Sequence, residues 1–75
     1  MTPEFKEFVR SGIVSIVARH NGVLENSIDD DSHLGPYPLN VLCNISEQLV
    51  VELEPRHSSA TVGELTNICV NRMLQ

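Results

Sequence analysis

The chain has 75 residues, with ten acidic side chains against five basic ones and a formal charge of -5; nucleic-acid phosphates and anionic membranes are therefore poor partners, and a basic protein surface is a better one. A domain of this size buries only about 60% of the surface its unfolded chain exposes, which leaves little room for an enclosed active site. With 41% apolar residues, no Trp, one Tyr and two Phe, the core must be built from Val, Leu and Ile, and the composition is that of a globular chain rather than a disordered tail.

One small domain over residues 1–75 is expected, with no repeat, linker or low-complexity tract. Thr2-Pro3 reads as N-cap and first helical position, followed by the acidic Glu4 that suits a helix start. The first helix is predicted over 3–20, with Phe5, Phe8, Val9, Ile13, Ile16 and Val17 as its apolar stripe. Gly12 lowers its propensity and is read as tolerated at an exposed position, close helix approach being the alternative. Asn21-Gly22 is the stop, because glycine takes the left-handed dihedrals of a C-cap.

Val23, Leu24 and Ile28 are then expected to plug a long loop onto the rest of the chain. Asp29-Asp30-Asp31 is too dense in like charge to bury and reads as a solvated loop; it lacks the ligand spacing, the glycine and the terminal Glu of a calcium loop, so no metal is expected. Pro38 should occupy the first turn of a second helix over 38–50, with Leu39, Leu42, Cys43, Ile45 and Leu49 facing inward and Glu47 as its single formal charge. An extended connection follows, then a short helical turn at 55–59. The last helix, 61–73, opens on the capping box Thr61-Val62-Gly63-Glu64 and turns Val62, Leu65, Cys69 and Met73 inward, with Ile68 beside them. The fold class predicted is all-α: three long helices and one short turn.

Cys43 and Cys69 lie in apolar helical patterns without Cys or His at metal-ligand spacing, and are expected to be buried free thiols. That usage is intracellular. The first residues carry neither the basic region nor the apolar core of a signal peptide, and no apolar run reaches membrane-spanning length, so the expected compartment is the cytoplasm.

Catalytic patterns are missing: there is no glycine-rich phosphate loop, Cys-x-x-Cys pair, HExxH helix or nucleophile elbow. His20, His33 and His57 are scattered and read as surface or helix-end residues. Asp31-Ser32-His33 has the residue types of a triad, but neighbours in one loop do not place base, nucleophile and orienting carboxylate in the required geometry. The expectation is a protein that is not an enzyme. Five dispersed basic residues and one Tyr give no track or stacking platform for RNA.

In this order the elements resemble an acyl or peptidyl carrier protein. Asn21-Gly22-Val23-Leu24-Glu25-Asn26-Ser27-Ile28 is similar to that family's segment after helix one, and Asp31-Ser32-His33-Leu34 to its D-S-x-F/L turn. Ser46 to Leu53 resembles the end of helix two and the stretch after it, and Thr61-Val62-Gly63-Glu64-Leu65 resembles the start of the last helix. The resemblance implies a small bundle of three long helices and one short one, in which a serine at the start of helix two carries 4'-phosphopantetheine, and enzymes of fatty-acid, polyketide or peptide biosynthesis as protein partners.

The attachment motif L-G-x-D-S-L finds its nearest match in Leu34-Gly35-Pro36-Tyr37-Pro38-Leu39. Tyr37 then stands where the Asp belongs and Pro38 where the serine belongs; an alignment from the end of helix two puts Gly35 there instead. Neither Pro38 nor Gly35 has a hydroxyl. The expected function is therefore that of an unmodified carrier-like domain with no cofactor, acting through protein-protein contacts at Asp29, Asp30, Asp31, His33, Tyr37 and Glu47. The alternative is a working carrier that holds 4'-phosphopantetheine on Ser32, although Gly35-Pro36 interrupts any helix begun there.

Overall fold

The first helix is the hub because its apolar residues recur on more than one face. In the computed structural model, which describes residues 3–75, α1 spans Pro3–Asn21 and buries Val9, Ile13, Val14, Ile16, Val17 and Ala18. A band this broad serves two partners: α2 (Pro38–Leu49) and α3 (Val62–Met73) both pack on α1. Phe8, expected in the stripe, is 68% exposed. Val14 and Ala18 widen the buried face on the side that the three- and four-residue count from Phe5 passes over. Phe5 packs against the core edge. Thr2, the expected N-cap, lies outside the described residues.

Gly22 ends α1 at φ 66, and the Val23 amide donates back to the Ala18 carbonyl at 3.1 Å, closing a Schellman turn. Val23 and Leu24 do not plug the loop: both are exposed, because the 3-10 turn Glu25–Ser27 carries them outward. Ile28 packs partly against the core, and the full plug is Leu34, with no exposed surface.

α2 begins at Pro38, as the sequence predicts, but its inward face is turned. Val41, Leu42 and Ile45 are buried and Leu49 is half-buried, whereas Leu39 is 53% exposed and Cys43 is an exposed thiol. The reason is that Leu39, Val41, Leu42, Cys43, Ile45 and Leu49 fit two overlapping stripes that share Leu42; packing on α1 selects the one through Val41, Ile45 and Leu49. Cys69 is buried as expected, in an environment that pushes its thiol up to about 11 by desolvation.

Gly12 is half-buried and faces α2: a Cβ there would sit 3.3 Å from Leu49 Cδ2, so the end of that side chain would have to give by a few tenths of an ångström. The second 3-10 turn, Pro55–Ser59, falls on the predicted short turn and packs on α2. In α3, Val62, Leu65, Thr66, Cys69 and Val70 are buried. Fully buried Val and Leu side chains contribute about 1.5–3 kcal/mol each, and the radius of gyration, 11.1 Å, is that of a compact all-α chain of this length. Among the described residues no helix is long and apolar enough to cross a membrane.

Candidate functional site

The stretch from Ile28 to Pro38 joins α1 to α2 and holds most of the residues singled out above. It is fixed first by its own backbone. The Asp29 carbonyl accepts from the Ser32 amide at 3.1 Å, the Asp31 amide donates to Asp29 Oδ1 at 2.9 Å, and the Asp29 amide donates to Ser32 Oγ at 3.1 Å. Short polar side chains that bond nearby amides in this way favour turns over helix.

The turn is then docked on the start of α3. Amides at a helix N-terminus need acceptors from outside the helix. Ser32 and Asp30 supply them: the Val62 amide donates to the Ser32 carbonyl at 2.8 Å and the Gly63 amide to the Asp30 carbonyl at 2.9 Å. Thr61 Oγ1 accepts from the Glu64 amide at 3.2 Å, and the Glu64 carboxylate accepts from the Thr61 amide at 3.0 Å, so the predicted capping box is formed. Gly63 suits this approach, since a Cβ would lie 3.0 Å from Asp30 Cβ and 3.2 Å from the Asp30 carbonyl oxygen, and the loop would have to give way. Arg10 Nε on α1 completes the dock by donating to Asp30 Oδ1 at 2.7 Å.

Electrostatically, the dock gathers the exposed carboxylates of Asp29 and Asp31 and the α3 start into one acidic region. Glu64 is held below the ordinary carboxylate range by the Thr61 amide and then its hydroxyl, with a smaller contribution from the charge of His33. Asp30 is matched by Arg10, whose guanidinium is raised mainly by that hydrogen bond. His33 is exposed. Among the described residues, no three His, Cys, Asp or Glu side chains are grouped so as to hold a metal ion.

Ser32 is half-buried, and its hydroxyl donates to Asp29 Oδ1 at 3.3 Å while accepting the Asp29 amide. Its side-chain partner is thus Asp29, not His33, and the Asp31-Ser32-His33 sequence does not assemble a triad. Ser32 also stands at the foot of α3 rather than at the start of α2. Ser46 lies within α2, where its hydroxyl donates to the Val51 carbonyl at 2.6 Å.

Leu34 anchors the remainder. Asn21 Nδ2 donates to the Leu34 carbonyl at 3.3 Å, and Gly35, at φ 100, fits against that amide: a Cβ would fall 2.3 Å from Asn21 Oδ1. The chain then exposes Pro36 and Tyr37, the latter 69% exposed, so Tyr37 projects outward instead of packing over the end of the helices. Pro38 takes the first position of α2; Tyr37 is its N-cap and offers no side-chain cap. Pro38 suits that place because its fixed φ is helical and the missing N–H has no partner to lose. Glu47 lies exposed farther along, beside a shallow groove of about 210 Å³ walled by Leu39, Leu42, Cys43 and Leu53.

The sequence reading overlooked Arg10, Asn21 and Gly63, which hold the loop from three directions. Gly63 was legible only as part of a capping box. His57, expected at the surface or a helix end, is 6% exposed within the second 3-10 turn. No protein family, curated protein or solved structure matches the chain.

Proposed function

We propose that the chain is a noncatalytic, carrier-like interaction domain that bears no prosthetic arm. The observation that carries this reading is Pro38 at the first position of α2, with Tyr37 before it, where a carrier needs a hydroxyl. The order of the elements, three main helices with the short turn between the last two, supports the same reading. Ser32, the alternative attachment point, has its hydroxyl engaged by Asp29 in a turn that is docked on α3.

The partner surface in this proposal combines the docked carboxylates with the apolar start of α2. Asp29 and Asp31 supply exposed negative charge, Glu47 extends it along α2, and Tyr37 supplies exposed amphipathic area. His33 is exposed in the same loop. Proteins with basic surfaces fit it, and carrier-recognising biosynthetic enzymes are the partners that the resemblance implies.

Incubation with a phosphopantetheinyl transferase and coenzyme A, followed by intact-mass measurement, tests the proposal. The expected product is the unmodified chain. A stable phosphopantetheine adduct that disappears in Ser32→Ala would overturn it and restore the working carrier.

A further inference from the structure

The turn Pro55–Ser59 packs on α2 and contains a buried histidine. His57 and Thr66 are the buried polar residues of the described chain. Thr66 is satisfied within its own helix, its hydroxyl donating to the Val62 carbonyl at 2.7 Å. His57 is held reciprocally with Glu54: the Glu54 amide donates to His57 Nδ1 at 3.0 Å, and the His57 amide donates to the Glu54 carbonyl at 2.9 Å. A ring nitrogen that accepts a hydrogen bond carries no proton, so the neutral ring keeps its proton on Nε2. A second proton has one place to go, Nδ1, where it would face the Glu54 N–H as donor against donor.

We propose that this turn is a proton-sensitive latch on α2, closed while Nδ1 of His57 is bare and released when that nitrogen takes up a proton. The step consumes one proton from solvent and breaks the Glu54 N–H to Nδ1 hydrogen bond. Release acts on the apolar groove, because Pro55 at the start of the turn lines it together with Leu42 and Cys43 of α2. The inference does not depend on the carrier-like reading.

The charged groups on the turn and on the segments next to it or packed against it are Arg56 within the turn, Glu54 at its N-cap, Arg72 reaching to Glu54 from α3, Glu52 on the preceding connection, and Glu47, the formal charge of α2. Arg56 and Arg72 bond Glu54 at 2.6 and 3.2 Å. Those hydrogen bonds, Arg56 first, hold the Glu54 carboxyl down at about 2. With a depressed folded-state value, the contribution of the Glu54 pairs is present above its ordinary 4.5 and is lost as pH falls through about 2. Their loss is thus confined to strongly acid solution.

The test is amide hydrogen exchange on the whole chain over about pH 8 to 5, where imidazoles titrate, with the His57 ring followed by its own NMR resonances. After correction for the intrinsic pH dependence of exchange, the Glu54, His57 and Ala60 amides should lose protection by about tenfold, the ratio that one hydrogen bond of ordinary net strength represents. The midpoint should track the ring, while α1 and α3 stay protected. In His57→Phe, which keeps a buried ring but has no proton site, the pH dependence at residues 57 and 60 should vanish. Protection retained on the acid side of the ring's titration, or lost from all helices together, overturns the latch; so does an unchanged pH dependence in His57→Phe. The native chain alone decides the matter if that variant does not fold.

Discussion

The docked loop after Ile28 and the helix α2 that follows it are built to different standards. At the α3 dock the amides of Val62 and Gly63 have loop carbonyls, Thr61 and Glu64 cap each other, and Arg10 matches Asp30. At α2 the helix starts without a side-chain cap, Leu39 and Tyr37 are exposed, and the helix ends on a left-handed valine. Chains tend to break local rules where something other than stability sets the residue. On that argument the α3 dock is built for stability, whereas at α2 and its approaches something other than stability sets the residues.

The sharpest way to break this comparison is a pair of truncations one turn of chain apart. Leu34→Ala empties a fully buried position at the scaffold end and should cost about 2–5 kcal/mol in urea unfolding. Leu39→Ala removes an exposed side chain at the contact end and should stay within about 0.5 kcal/mol. Similar losses at both positions would mean that Leu39 is holding the fold and that the division is misplaced.

The next largest effect belongs to Gly63→Ala. The added methyl meets Asp30 Cβ and the Asp30 carbonyl, atoms of a loop whose own hydrogen bonds oppose retreat. A loss of about 1–3 kcal/mol is expected, the usual range for overpacking, with amide exchange at Ser32 rising together with it. An unaffected stability would show that the loop can step back at little cost, and the dock would no longer count as rigid scaffold.

How legible these regions were follows from how local their causes are. Pro38, the Thr61 to Glu64 capping box, the Gly22 stop and the turn after Glu54 depend on residues within a few positions of one another, and each appears where the sequence puts it. The facing of α2 was misjudged because Leu39, Val41, Leu42, Cys43, Ile45 and Leu49 fit more than one stripe, and only the contact with α1 chooses. Burial of Leu34 instead of Val23 and Leu24, the Arg10 to Asp30 pair and the clearance at Gly63 all join residues distant in sequence. No periodicity carries that information. The loop from Ile28 to Pro38 was legible as an acidic turn leading into a helix start at Pro38, but its attachment to α3 was not.

The smallest predicted effect refines the contrast within α2 itself. α1 and α2 end in the same way, with a left-handed residue and an amide returned to the last turn: Val23 to Ala18 after Gly22, and Val51 to Ser46 after Val50, both at 3.1 Å. Glycine belongs at that position, and a β-branched residue there is strained. Val50 has φ 52, and at 87% exposed its side chain gains almost nothing from burial. The left-handed conformation costs a non-glycine residue about 1–2 kcal/mol, partly offset by the greater freedom that glycine has in the unfolded chain. Val50→Gly should therefore stabilise the protein by roughly 0.5–1 kcal/mol, read as a higher urea midpoint with an unchanged slope. A gain would mark Val50 as a residue that folding does not require, on the same helix as Leu39 and Cys43. A loss would mean that its side chain supports the end of α2, and the region would then be scaffold from Val41 onward, confining the contact face to the start of the helix.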